Sequence, residues 1–146
     1  MAITSAICNS FKQEILEAEH DFTASSGDTF NLALYTSSAT INKSTTAYSS
    51  TNEISNTSGS AYSAKGKALT SVTPVLDSDT AVCDFANISW TSATFTANGC
   101  LIFNDSHSSD AAVCTIAFGG DKTVTSGTFT IEFPAAAAST AIIAIA

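Results

Sequence analysis

A chain of 146 residues suits one domain that buries a core of its own without metal or disulfide staples. Hydrophobic residues make up 45% and charged residues 12%, so most polarity is carried by Ser, Thr and Asn, a mixture that favours strands and turns over disorder. The net charge of −8, with five Lys and Arg, argues against a nucleic-acid partner and against an anionic membrane surface.

The opening MAITSAIC has no basic segment and no long apolar run, so the expected place of synthesis is a cytoplasm. No apolar stretch reaches transmembrane length. The first local signal is helical. Ser10-Phe11-Lys12-Gln13 has capping-box order and predicts a helix over residues 11–19, with Phe11, Ile15 and Ala18 on one side and Glu14 and Glu17 in water. His20 then falls at the negative end of that helix. Residues 1–24 read as an arm carrying one short helix, and residues 25–146 as the β-domain.

After Ser25-Ser26-Gly27-Asp28 the period changes to two. Residues 29–36 (TFNLALYT) predict a strand that sets Phe30, Leu32 and Leu34 against Asn31, Ala33 and Tyr35. A polar excursion follows at 37–63, with Tyr48, Tyr62 and a short edge strand or turn near 49–55. Strands are then expected at 67–73, ended by Pro74, at 80–85 after the turn Asp77-Ser78-Asp79, at 88–91 around Trp90, and in one or two pieces over 94–103. A further strand at 111–118 runs into Gly119-Gly120-Asp121-Lys122, read as a turn, before strands at 127–133 and 141–146. The fold class expected is mainly β: an antiparallel, jelly-roll-like β-sandwich of seven to nine short strands with one short N-terminal helix.

Little in this pattern carries chemistry. The run 104–110 (NDSHSSD) offers oxygen ligands for Ca²⁺ without EF-hand order, and Ser, His and Asp without the frame of a nucleophile elbow; it reads as a hairpin loop. Asp77 and Asp79 suit backbone capping, and Gly119-Gly120 lacks the partners of a phosphate loop. Cys8, Cys83, Cys100 and Cys114 show no zinc spacing and read as buried thiols, with a cross-strand disulfide left open. Tyr35, Tyr48, Tyr62 and Trp90 are candidates for a sugar-binding platform. No catalytic residue, cofactor or metal is predicted.

SFKQEI (10–15), DTFNLALYTSSAT (28–40), YSSTNEIS (48–55) and GGDKTVTSGTFTIEFP (119–134), in that order and before an apolar end, resemble small virion proteins of tailed phages, above all those of cyanobacterial hosts. The likeness covers nearly the whole chain. It implies a non-enzymatic particle component, most specifically a head decoration or cement protein that binds the major capsid protein lattice and itself, as a dimer or trimer. A tail, neck or fibre-associated protein and a carbohydrate-binding attachment module are the alternatives. The expected contact segments are 3–20 and 37–63, and the contact residues are Phe11, Ile15, Tyr48, Tyr62, Ile142, Ile143 and Ile145.

Overall fold

The computed structural model describes residues 2–55 and 58–146; positions 56 and 57 of the polar excursion, and Met1 of the arm, lie outside it. The chain is mainly β, with two antiparallel sheets and one short helix in a β-sandwich-like arrangement. Strand β1 (Ala6–Ile7) and helix α1 (Asn9–Leu16) are followed by β2 (Phe30–Tyr35), β3 (Lys67–Ala68), β4 (Ser71–Asp77), β5 (Thr80–Phe85), β6 (Ile88–Asn104), β7 (Ala111–Ile131) and β8 (Ile143–Ile145). One sheet has the order β1-β7-β6-β2-β3 and the other β4-β5-β8. The layers meet where Phe30 of β2 and Phe85 of β5 approach to 6.0 Å, with Phe22 stacked on Phe30 at 4.2 Å.

Two of the strands are far longer than the pattern predicts. The expected pieces at 88–91 and 94–103 are one strand, and so are those at 111–118 and 127–133. Gly119 and Gly120 make no turn. Ala97 pairs with Lys122 and Gly99 with Ala117, so Asn98 alone faces residues 118–121. The two glycines, at φ 75° and 146°, absorb a wide bulge that only residues without a side chain adopt freely. Asn98 Nδ2 closes the bulge by donating to Asp121 at 2.8 Å.

Pro74 does not end a strand either. It sits inside β4, which is an edge strand, at the point where the register shifts between Val72 and Val75; an edge or a bulge is where a missing N–H is tolerated. The Asp77-Ser78-Asp79 turn is as expected, with Ser78 at φ 56°. The apolar C-terminal segment pairs within its own chain: Ile143, Ala144 and Ile145 lie opposite Cys83, Val82 and Ala81.

The helix starts earlier than its sequence signal. Its N-cap is Cys8, with no side-chain cap, and it ends at Leu16. Ser10 Oγ is buried without a hydrogen-bond partner, and Gln13 donates to Glu17 instead of reaching back. Docking replaces the cap: Cys8 N–H donates to the Val113 carbonyl at 3.0 Å, so the β7 edge sets where the first turn begins. Phe11 is buried, Ile15 half-buried and Ala18 exposed at φ 61°, beyond the helix.

Strand β2 alternates as predicted, yet nearly every residue of it is buried on both faces. The excursion covers the second face. Tyr35 Oη donates to the Ser49 carbonyl at 2.7 Å, Tyr35 bridges to Glu53, and Tyr48 stacks on Phe103 of the neighbouring strand at 4.8 Å. The stretch is polar in composition because its backbone, rather than a run of apolar side chains, makes many of the contacts.

Candidate functional site

Three polar clusters hold the arm and the excursion to the β-domain. The first centres on Glu53, whose carboxylate accepts from Tyr48 Oη at 2.5 Å and Tyr62 Oη at 2.7 Å, while Tyr62 Oη accepts from the Leu34 N–H at 2.9 Å. Burial, followed by the bond to Glu53, pushes the Tyr48 phenol up to about 12 and moves Tyr62 upward as well. These phenols are donors held neutral, fixed between β2 and the excursion.

The second cluster is Lys65, whose ammonium lies 2.8 Å from Asp105 and 2.9 Å from Asp110. The hydrogen bonds it donates to Asp105 and then Asp110 hold its pKa above the ordinary lysine value. The two carboxylates that a Ca²⁺ reading of the β6–β7 loop requires are thus occupied by a cation of the chain itself. Among the described residues no group of three or more His, Cys, Asp or Glu is placed to hold a metal ion.

The third cluster joins the arm to the same loop. Asn104, fully buried at the end of β6, accepts from Ser106 N–H through Oδ1, which fixes its amide nitrogen toward Asp28 at 2.8 Å and His20 Nδ1 at 3.1 Å. His20 Nδ1 is therefore an acceptor, and Nε2–H donates to Glu14 at 2.8 Å. The helix-dipole reading of His20 is corrected here: the ring is buried, tilted against Phe11 at 5.0 Å, and Glu14 faces it rather than water. Beside it, 6.1 Å away, His107 donates from Nε2 to Glu19 at 2.6 Å and accepts from both the hydroxyl and the N–H of Ser109. Serine, imidazole and carboxylate are in sequence, but Ser109 turns its own backbone N–H onto the same nitrogen. The arrangement closes the loop as a side-chain-capped turn.

The residues expected at a partner surface are divided by the fold. Phe11, Tyr62 and Ile143 are buried in the chain's own core. Ile15, Tyr48 and Ile142 are half-buried against it, and Ile145 is 54% exposed. Tyr35, Tyr62 and Trp90 are each at most 3% exposed, so three of the four aromatics expected to form a sugar platform are interior packing, and Tyr48 is half-buried against the core. All four cysteines are free and buried, which leaves the disulfide reading aside. Desolvation raises Cys8 and Cys83 to about 11 and Cys114 to about 12, and Cys100 upward too.

Sequence reasoning missed the apolar surface on the second sheet. Leu76 is 74% exposed and pairs with Ala81, which pairs with Ile145, so one row of aliphatic side chains crosses the sheet from edge to edge. Val72 and Val75 of β4 are also exposed. The strand expected at 67–73 stops short of Val75 and Leu76, and the signal at 141–146, though readable, did not show that β4 and β8 are both edges. No helix among the described residues is long and apolar enough to cross a membrane. Compared with family models, curated proteins and solved structures, the chain matches none.

Proposed function

We propose that the chain is a non-enzymatic structural component of a tailed-phage particle, a decoration or cement protein that binds the major capsid protein lattice and copies of itself. The observation that carries this is the aliphatic row Leu76–Ala81–Ile145, exposed at Leu76 and Ile145, where the sheet ends in the edge strands β4 and β8. Free edges and exposed aliphatics are liabilities in a solitary protein and contact surfaces in an assembly. The polar clusters support the same reading, since each spends its charged side chains on pinning the arm, the excursion or the β6–β7 loop. The sequence likeness to small virion proteins supplies the particle. The protein is then made in the bacterial host's cytoplasm and works in the virion, as a dimer or trimer.

Leu76→Asp and Ile145→Asp test this directly. Both replace exposed side chains, so the isolated chain keeps its fold, and binding to particles stripped of the protein is lost. Full binding by both variants would defeat the proposal. Copies counted per particle separate a head position from the tail, neck or fibre alternative: a closed ring of about six or twelve would place it on the tail.

A further inference from the structure

The segment from Ala18 to Ser25, between α1 and β2, is a strap held at few points. Its two ends are non-glycine residues in the left-handed region, Ala18 at φ 61° and Ser25 at φ 67°. Such residues keep that conformation only where their surroundings impose it. Between the strap and the second sheet lies a cavity of about 230 Å³, lined by His20, Phe22 and Thr23 on one side and by Pro74, Cys83 and Ile143 on the other. Phe22 stacks on Phe30, and Ala24 N–H donates to the Thr73 hydroxyl at 3.0 Å. Toward β6 and the loop after it, the strap is tied through two imidazoles, His20 to Asn104 and Glu19 to His107.

The two rings respond differently to a proton. His107 is partly exposed, and its Nδ1 faces the Ser109 hydroxyl, which turns to accept when the ring must donate. His20 has no such freedom. Its Nδ1 meets the Asn104 amide nitrogen, and that amide cannot turn over: Oδ1 holds the Ser106 N–H, and the nitrogen also serves the Asp28 carboxylate. A proton on Nδ1 sets donor against donor around a side chain with no exposure. Charging strengthens the bond from Nε2 to Glu14, but Glu14 lies in α1, within the arm itself. The proton therefore exchanges a tie to β6 for one inside the arm. The gain at the exposed His107–Glu19 pair weighs little against a buried donor without an acceptor. Around His20 stand Glu14, Glu19, Asp21 and Asp28, with His107 across the stack and Cys83 across the cavity. The carboxylates attract the proton; the Asn104 amide makes it incompatible with a closed strap. We propose that residues 18–25 are an acid-released latch: protonation of His20 at Nδ1 breaks its bond to Asn104 and lifts the strap from β6, uncovering Phe22 and Phe30. The closed strap holds the neutral ring and the open strap the charged one. The closed share thus falls as pH drops through the range where a free imidazole takes its proton, about 6.5. The latch is a property of the chain by itself and does not depend on the particle reading.

Amide hydrogen exchange of the full chain at pH 7.5 and pH 5.0, corrected for the intrinsic effect of pH, tests it. Amides of residues 18–27 lose protection about tenfold or more at the lower pH, while the paired residues 99–104 and 111–117 keep theirs. His107→Gln shows the same loss. His20→Gln, which has no ionisable ring, keeps strap protection within about threefold between the two conditions. NMR of the imidazole nitrogens in the native chain finds His20 protonated at Nε2 and bare at Nδ1 at pH 7.5, and Nδ1 gains its proton over the range in which the strap loses protection. Unchanged strap protection at pH 5.0, an equal loss in His20→Gln, a loss abolished by His107→Gln alone, or a strap still protected once Nδ1 is protonated would each overturn the latch. If His20→Gln does not fold, the comparison of ring protonation with strap exchange in the native chain decides.

Discussion

Replacing Glu53 tests whether the polar excursion is part of the fold or a loose arm. In Glu53→Ala the Tyr62 hydroxyl keeps the Leu34 N–H as donor but loses the acceptor for its own proton, in a buried place. A hydrogen bond to a charged group is worth about 1.5–3 kcal/mol, so this loss is taken near the upper end, at about 2–3 kcal/mol. Tyr48 is half-exposed and finds water in place of the carboxylate, which limits its share to about 1 kcal/mol. The expected destabilisation is about 3–4 kcal/mol, or a fall in Tm of roughly 6–16 °C for a chain of this size. Urea unfolding followed by Trp90 fluorescence reads it well, since that indole lies 6.2 Å from the Tyr62 ring. Glu53→Gln keeps one acceptor oxygen and costs about half as much. A double-mutant cycle with Tyr62→Phe gives a coupling of about 1–3 kcal/mol. If Glu53→Ala unfolds within about 0.5 kcal/mol of the native chain, the excursion is not pinned as described.

Removing residues 141–146 deletes β8 and the buried Ile143, and is expected to cost about 2–4 kcal/mol by chemical denaturation; an unchanged midpoint would mean that the segment does not pair with β5 in solution. Gly66→Ala is expected to be among the most damaging single changes: at φ 67° its Cβ would lie 1.8 Å from the Leu32 carbonyl oxygen, so soluble yield and Tm should both fall sharply, and a near-native melting curve would contradict this backbone approach. The raised thiols make stability fall on the alkaline side. An unfolded thiol ionises near 9 while folded Cys8 and Cys83 hold their protons to about 11, so between those values the native state binds more protons and stability drops with rising pH, by at most about 1.4 kcal/mol per pH unit for each thiol; a flat urea midpoint from pH 8 to 10.5 would refute it. Below pH 8 the same thiols are expected to resist alkylation until the chain is unfolded.

The strands with simple surroundings were legible. Residues 80–85 were placed to the residue, and β2 and β8 within one or two, because alternation and turn chemistry report local geometry. The failures have tertiary causes. Gly119-Gly120 has the composition of a turn, and only the continued pairing of 122–131 with β6 makes it a bulge. Ser10 and Gln13 spell a cap that the docking of Cys8 on β7 displaces. The internal clusters join residues far apart in sequence, such as His20 with Asn104 and Lys65 with Asp105, which periodicity cannot reveal. One clue was present for Glu53: it is the only acidic residue between Asp28 and Asp77, in a stretch that also holds Tyr48 and Tyr62.

The central claim is that this chain is a built-in part of a particle. Counting its peptides against those of the major capsid protein by mass spectrometry, in purified and washed phage particles released from cells that make the chain, tests that claim most directly. The account predicts a fixed stoichiometry, on the order of hundreds of copies per particle. Absence of the chain from mature particles that are otherwise complete would contradict it.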